Sequence, residues 1–458
     1  MRAGSAARSA ATELATDREL AVDVVEPRRV SSQWDAIVWQ GLASGASATR
    51  SPASVAALTP SAPTHCTAVD HPPPLPMVSA VAPADVPFAD LVASLDRATA
   101  ARSSRFIHLA AAAAAEALED AEWAPAGTKA ALRTGVALGS GMGSMADIHD
   151  GTLALVDPER GPRRISPFFV PRILVNLAAG TVSIAHGLQG PNHAVATACA
   201  TGAHSIGDAA NFIALGYADV MVAGSSEAAL DPLALTGFAR AKALSTAWAR
   251  TPEVASRPFD QLRDGFVMGE GAGVLVLEER EHAIARGAHI YAELQGYGLT
   301  GDAHHTTAPA PDGRGALRAM RMALRRARVP VEELDYINAH ATSTSLGDAV
   351  EYSAIHKLLS DAEASEPLLV SSSKGAIGHL LGASGSVEAL ITVLALHHGV
   401  APVNTNLENI DAALDSELVE LVQHKSRKAE LTYALSNSFG FGGTNVSLCF
   451  ASGPAAVE

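Results

Sequence analysis

The chain is poor in cysteine, with three in 458 residues (Cys66, Cys199 and Cys449), and poor in aromatic side chains, at 5%. Three thiols build no disulfide framework, and their scarcity suits a reducing compartment. A zinc centre needs clustered Cys and His at short spacing, and the adjacent His304 and His305 have nothing beside them to complete one. Long apolar runs are also missing. The most tempting, Leu109 to Leu118, is interrupted by Glu116 and falls well short of the roughly 18 residues a membrane-crossing helix needs. Positive charge is in deficit, with a formal net charge of −15. That argues against nucleic acid or an anionic membrane as the main partner, and leaves an acidic partner only a local basic patch to dock on.

What is present is an ordinary globular composition, 48% hydrophobic and 18% charged, with 38 glycines. It suffices for one large core or two fused halves. Residues 1–87 differ from the rest. Arg2 and Arg8 precede the first acid, Glu13, which gives the start a transit-peptide flavour that Asp17, Glu19 and Asp23 soon dilute. Prolines dominate from Thr59 to Pro87, so this region reads as loop with one short helix around Trp34 to Leu42.

From residue 88 strand-like and helix-like segments alternate. Thr134 to Leu138 reads as a strand entering the loop GSGMGS, and His193 to Ala198 as a strand ending at Cys199 with a helix behind it. Gly271 to Leu277 and Ile290 to Tyr297 read as two strands side by side. Such alternation implies a largely parallel sheet covered on both faces. An internal echo supports two similar halves: Gly202-Ala203, Asp208 and Ala209 recur 180 residues on as Gly382-Ala383, Glu388 and Ala389, which sets Cys199 against His379. The halves are taken as 88–290 and 291–452.

Cys199 lies in ATACATGAHSIGDAA, at an expected strand-to-helix turn cleared by Ala198, Ala200 and Gly202. A helix N-terminus there favours thiolate over thiol. NAHATSTSLGD, SSSKGAIGHLLGASG and NSFGFGGTN crowd small residues around polar ones in the same way. Each follows an expected strand, where open α/β sheets place ligands. Together they supply a nucleophile, two imidazoles, a lysine, an acid and a glycine-rich backbone. This is the equipment of acyl transfer through a thioester.

These segments, with ISPFFVPRILVNLAAG, GPNHAVATACATGAHSIGDA, ADVMVAG, RPFDQLRDGFVMGEGAG and NAHATSTSLGDAVE, resemble an elongating β-ketoacyl-acyl-carrier-protein synthase. That family lies in the thiolase superfamily, and the mitochondrial type II enzymes are the nearest in character. The likeness spans roughly Arg97 to Phe450. It implies an α/β, thiolase-like fold of two duplicated βα halves in αβαβα layers, and condensation of an acyl thioester with malonyl-acyl-carrier-protein. It assigns Cys199 as acyl acceptor and His340 and His379 as the pair that promotes decarboxylation and stabilises the enolate. The N–H groups of Cys199 and Phe441 become the oxyanion hole. Lys374, paired with Glu351, would hold His379; Thr342 and Thr344 would bind the pantetheine arm; Phe441 would gate the chain. Met142 is a candidate for the acyl tunnel. The resemblance needs no cofactor or metal. It implies a homodimer and an acyl-carrier partner docking on Arg97, Arg102, Arg105, Arg240 or Lys242. It also suggests the mitochondrial matrix, with cytoplasm as the alternative.

The sequence departs from the family at its start. The expected opening strand with its glycine turn, VVVTGLGxVTPLG, is not found; Glu19 to Val25 is strand-like but lacks the glycines. Loss of a central strand would remove ladder bonds and core contacts. SLGD also stands where the family has PLGD. A polyketide-type ketosynthase is the nearest rival. A thiolase would need a second cysteine, and a Cys-His-Asn starter synthase an Asn at position 379. A silent chain-length partner would normally lose the cysteine, and a papain-like protease would carry its own signature around it.

Overall fold

The computed structural model describes residues 20–23, 81–82 and 88–453, apart from 160 and 415. The helix expected at Trp34 to Leu42 and the proline-rich stretch to residue 80 lie outside these. Eleven strands form one mixed sheet: β1 (Leu20–Asp23), β2 (Thr134–Gly139), β3 (Asn192–His193), β4 (Val220–Glu227), β5 (Gly271–Glu279), β6 (Ala292–Gly301), β7 (Tyr336–Asn338), β8 (Leu368–Ser371), β9 (Val419–Leu421), β10 (Tyr433–Gly440) and β11 (Thr444–Ser452). Their spatial order is β9-β8-β7-β10-β11-β6-β1-β5-β4-β2-β3.

That order contains the duplication. In the first half the strands lie third-second-fourth-fifth-first (β3-β2-β4-β5-β1). The second half repeats the pattern as β8-β7-β10-β11-β6, with β9 added at its edge. In both halves the first four neighbours include parallel pairs, while the fifth strand runs antiparallel to the fourth and to the first. The sheet is therefore mixed rather than largely parallel.

The opening strand that the sequence left in doubt occupies its place as β1. Leu20 pairs opposite Glu279 and Asp23 opposite Val276, while Ala21 and Val22 face Glu293 and Ala292 across the seam between halves. Glycine is needed for a turn, not for ladder bonds, so the strand forms without it. In consequence β5 and β6 do not lie side by side; β1 separates them.

Among the helices that cover the sheet are α1 (Arg105–Asp120), α2 (Thr201–Ala214), α3 (Arg314–Ala327), α4 (Ser345–Asp361) and α5 (Ser384–His398). α1 packs on β4 and β5, α3 on β6 and β11, and α2 and α5 pack on each other and on strands of both halves. The layers are thus helix, first half of the sheet, helix pair, second half of the sheet, helix, with β1 joining the two halves of the sheet. Along α3, Ala316, Leu317, Met320, Ala323 and Leu324 are buried, whereas Arg314, Arg318 and Arg325 face solvent, the one-sided pattern of a covering helix. α2 and α5 are instead buried along most of their length. Glycine permits this close packing. A Cβ on Gly202 would lie 2.4 Å from the Ser386 nitrogen, and one on Gly385 would lie 2.7 Å from the Ala203 nitrogen.

Those two contacts are mirror images under an offset of 183 residues, not 180. A 3₁₀ turn precedes each helix, Ala198–Ala200 and Leu381–Ala383, and each turn opens on a left-handed residue, Ala198 and Leu381, both at φ 50°. The counterpart of Cys199 is therefore Gly382, and His379 lies three residues before it. The match at 180 reflects alanine and glycine abundance; backbone geometry sets the true register.

Candidate active site

Cys199 stands in the 3₁₀ turn at the head of α2. The expected strand before it is only β3, Asn192–His193, and Ala194 to Thr197 run on as irregular chain. Side chains hold that chain. Thr201 Oγ1 donates to the Ala198 carbonyl (2.7 Å) and accepts from the Thr197 N–H (2.9 Å), and the Thr197 hydroxyl meets His204 Nδ1 at 2.9 Å. These bonds fix the left-handed Ala198, a conformation that costs an L-residue roughly 1–2 kcal/mol.

His340 follows β7. Its N–H donates to one oxygen of Glu351 (2.9 Å) and that of Ala341 to the other (2.8 Å), with Asn437 Nδ2 a third donor at 3.1 Å. His379 is fixed by its own backbone, which bonds Val267 and Gly269, and by Ser384 Oγ at 2.8 Å from Nδ1. Its Nε2 lies 3.0 Å from Cys199 Sγ. The two imidazoles meet edge to face with centroids 5.4 Å apart. Phe266 and Phe439 close around them.

Lys374 is fully buried. Its ion pair is with Glu388, not the expected Glu351, and its Nζ reaches His340 Nδ1 at 3.4 Å rather than His379. Glu351 acts instead as an acceptor for the loop that carries His340.

Burial dominates the electrostatics. It holds both imidazoles well below the usual histidine range, and the Lys374 charge adds to the effect, so both are neutral. Burial also pushes the Cys199 thiol up to about 12, against the opposing pull of Lys374 and of the Phe441 N–H directed at it. Burial therefore opposes the helix N-terminus, which favours the thiolate. Glu351 and Glu388 are each raised to about 7 by the same cause.

Cys199, His340, His379, Thr342, Thr344 and Phe441 line one cavity of about 340 Å³. The two threonine hydroxyls lie 3.2 Å apart. Phe441 is 37% exposed, its ring 6.4 Å from that of Phe238. Met142 is not on this wall; it packs beside Leu235, Leu244, Phe266 and Leu381. Of the basic residues considered for docking, Lys242 borders the cavity, Arg105 is tied to Glu270 at 2.7 Å, and Arg102 lies over the Phe168 ring. Sequence reasoning missed Glu227, which ends β4 fully buried. It accepts from Ser140 Oγ and from the N–H groups of Gly141, Met142 and Gly382. Its one signal was an acid that follows two serines at the end of an apolar run. Ser384 and Thr197 carried no signal beyond their place in the motifs.

Comparison with known proteins agrees with this geometry. The descriptions "Beta-ketoacyl synthase, N-terminal domain" and "Beta-ketoacyl synthase, C-terminal domain" match residues 32–283 and 291–408. The chain is 56% identical over 349 residues to the mitochondrial 3-oxoacyl-[acyl-carrier-protein] synthase of Arabidopsis thaliana, covering 76% of this chain and 75% of that protein. It is 56% identical over 343 residues to 3-oxoacyl-[acyl-carrier-protein] synthase 2 of Rhizobium meliloti, covering 75% and 80%. Among solved structures, a β-ketoacyl synthase from Burkholderia phymatum superposes with a TM-score of 0.79 at 31% identity, over 95% of this chain and 98% of that one. A type II PKS ketosynthase in complex with its acyl-carrier protein gives 0.79 at 26% identity, over 95% and 100%. With a thiolase-like layering, a cysteine between two neutral histidines and family matches across both halves, the chain belongs to the β-ketoacyl synthase family.

Proposed function

We propose that this site performs the decarboxylative condensation that lengthens a fatty acyl chain by two carbons, with Cys199 as the acyl carrier residue. In the first step the Cys199 sulfur attacks the acyl thioester of an acyl-carrier protein, and its proton passes toward His379 Nε2. The carrier thiol leaves and an acyl-Cys199 thioester remains. Malonyl-carrier then enters, with Thr342 and Thr344 bonding its pantetheine arm. The bond to the carboxylate breaks, CO2 departs, and the electron pair forms an enolate whose oxygen is held by His340 and His379. Neutral imidazoles donate there without a full charge that would trap the nucleophile. The enolate carbon attacks the acyl carbonyl, whose oxyanion lies at the N–H groups of Cys199 and Phe441. Collapse releases the 3-oxoacyl product and the Cys199 thiolate, which takes up one proton from solvent to return the thiol. Lys374 and Glu351 act as positioning residues for His340, the lysine through Nδ1 and the carboxylate through the backbone.

The observation that carries this reading is the 3.0 Å approach of His379 Nε2 to Cys199 Sγ inside a cavity that also presents His340 and the Phe441 N–H. Incubation with acyl-carrier and malonyl-carrier, followed by mass spectrometry, should give a 3-oxoacyl product and an acyl adduct on Cys199. Cys199→Ala should abolish both. An intact enzyme that forms no adduct would overturn the assignment.

The same reading includes two halves at 88–290 and 291–452, a homodimer, an acyl-carrier partner and a mitochondrial matrix location, the last supported by relatives of that compartment in a plant and a yeast. Lys242 beside the cavity and the nearby exposed Arg240 suit an acidic carrier. Reversing both to Glu should raise the KM for carrier-bound substrate about tenfold; an unchanged KM would remove them from the docking surface.

A further inference from the structure

A dense block of positive charge in this acidic chain takes no part in the chemistry above. Between Gly313 and Val331 stand six arginines and no acid (Arg314, Arg318, Arg321, Arg325, Arg326 and Arg328), in a protein of net charge −15. Arg314, Arg318, Arg321 and Arg325 follow at helical spacing along α3, on the side turned away from its buried Leu317, Met320 and Leu324. At 1.5 Å per residue the row is roughly 16 Å long. We propose that this row is a docking surface for the acidic acyl-carrier protein, whose body lies along α3 while its thioester arm enters the cavity.

Inside the protein this charge works against itself. Arg314 opens the helix, the end at which a cation is disfavoured, with no acid in the first turn. Like charges three and four residues apart repel along the row. Asp312 lies 3.4 Å from Arg314, and Arg321 shares Asp361 with Lys357. Among the described residues Arg318, Arg325, Arg326 and Arg328 pair with no carboxylate. Only Arg325 and Arg326, in the last turn, gain from the helix dipole. A row that costs the isolated helix stability is matched by an acidic partner laid against it. The row also begins at the right place. Gly313 and Ala316, on either side of Arg314, line the cavity, as do Asp302 and Lys242. Arg314 donates to the Asp302 carbonyl at 3.4 Å and Arg318 to the Gly301 carbonyl at 2.8 Å, which ties the first two arginines to the rim. An extended anionic membrane or nucleic acid would meet the net negative charge of the whole molecule. A row one helix wide suits an acidic helix instead.

The choice of partner rests on the condensing role proposed above, so binding is measured apart from turnover. The test uses the full chain, an acyl-carrier protein bearing a fluorophore, and the double reversal Arg318→Glu with Arg325→Glu. Fluorescence anisotropy should show carrier binding about 20-fold weaker in the reversed protein, with the neutral pair Arg318→Gln and Arg325→Gln between the two. At about 0.5 M salt the difference should shrink to roughly twofold. The KM for malonyl-carrier should rise in step with the lost affinity. For malonyl-pantetheine, which has no carrier body, kcat/KM should change by less than about twofold. Equal carrier affinity in the original and reversed proteins, or an equal loss of activity with malonyl-pantetheine, would overturn the proposal. So would anionic phospholipid vesicles that bind the original protein and not the reversed one while carrier binding persists. Carrier binding that the reversal weakens, in a protein that makes no 3-oxoacyl product from either substrate, would instead overturn the condensing role and leave the docking surface standing.

Discussion

At the scale of single residues, Cys199 is held by shape before charge bears on it. Thr197, Thr201 and His204 pin the chain on both sides of Ala198, and the sulfur is thereby delivered to His379. The cost of that placement is desolvation, visible as a thiol raised to about 12. An acid whose pKa is raised rests in its protonated form, so alkylation of Cys199 by iodoacetamide should climb about tenfold per pH unit past pH 9. A plateau near 8.5, where an ordinary thiol ionises, would show that the resting group is a thiolate. Cys199, His340, His379 and Lys374 could all be read from short motifs, since each motif sits at the end of one strand. The partner of Lys374 could not. Glu351 and Glu388 lie on two different helices, and only the packing of α5 against β7 and β10 decides which carboxylate faces the lysine.

At the scale of elements, the α2–α5 crossing joins the two halves, and its closeness depends on Gly202 and Gly385. A methyl group at Gly202 would meet the Ser386 nitrogen at 2.4 Å and Ser225 Oγ at 2.5 Å. One of these is backbone and cannot rotate away. Gly202→Ala should therefore lower stability by about 3 kcal/mol, the upper part of the range for overpacking, and slow Cys199 acylation because the same helix begins at the cysteine turn. Denaturant unfolding with a parallel labelling assay would check both effects. A stable variant with normal labelling would show that the crossing can spread at little cost. The longer helices and the inner strands were legible because their apolar runs are continuous. β3 was read too long, as His193 to Ala198 against Asn192–His193, since two residues of pairing leave no periodic signal to mark its end. β1 was obscured by a missing glycine turn, although its four residues needed only free backbone groups on both sides. The offset of the duplication was misread by three residues for a related reason: small residues recur too often here to mark register, whereas positive φ at Ala198 and Leu381 does so unambiguously.

At the scale of the whole molecule, Glu227 binds parts of both halves. Its carboxyl accepts from Ser140, Gly141 and Met142 in the first half and from Gly382 in the second, and burial raises it to about 7. An unfolded glutamate ionises near 4.5. Between these values the folded protein binds more protons than the unfolded one, so stability falls as pH rises from 4.5 to 7 and levels off above. Glu227 alone contributes a fall on the order of 3 kcal/mol. Glu227→Gln should flatten that part of the curve of Tm against pH, and an unaltered slope would place the proton elsewhere. The mixed sheet adds a constraint of timing. β1 is synthesised first, yet its partners on β5 and β6 begin at Val276 and Ala292, roughly 250 residues later. At ~5–20 residues per second the first strand waits about 13–50 s on a translating ribosome before either neighbour exists. The seam between the halves is thus closed by a strand made long before its neighbours, and a chaperone that shields it for that interval should raise the yield of folded chain.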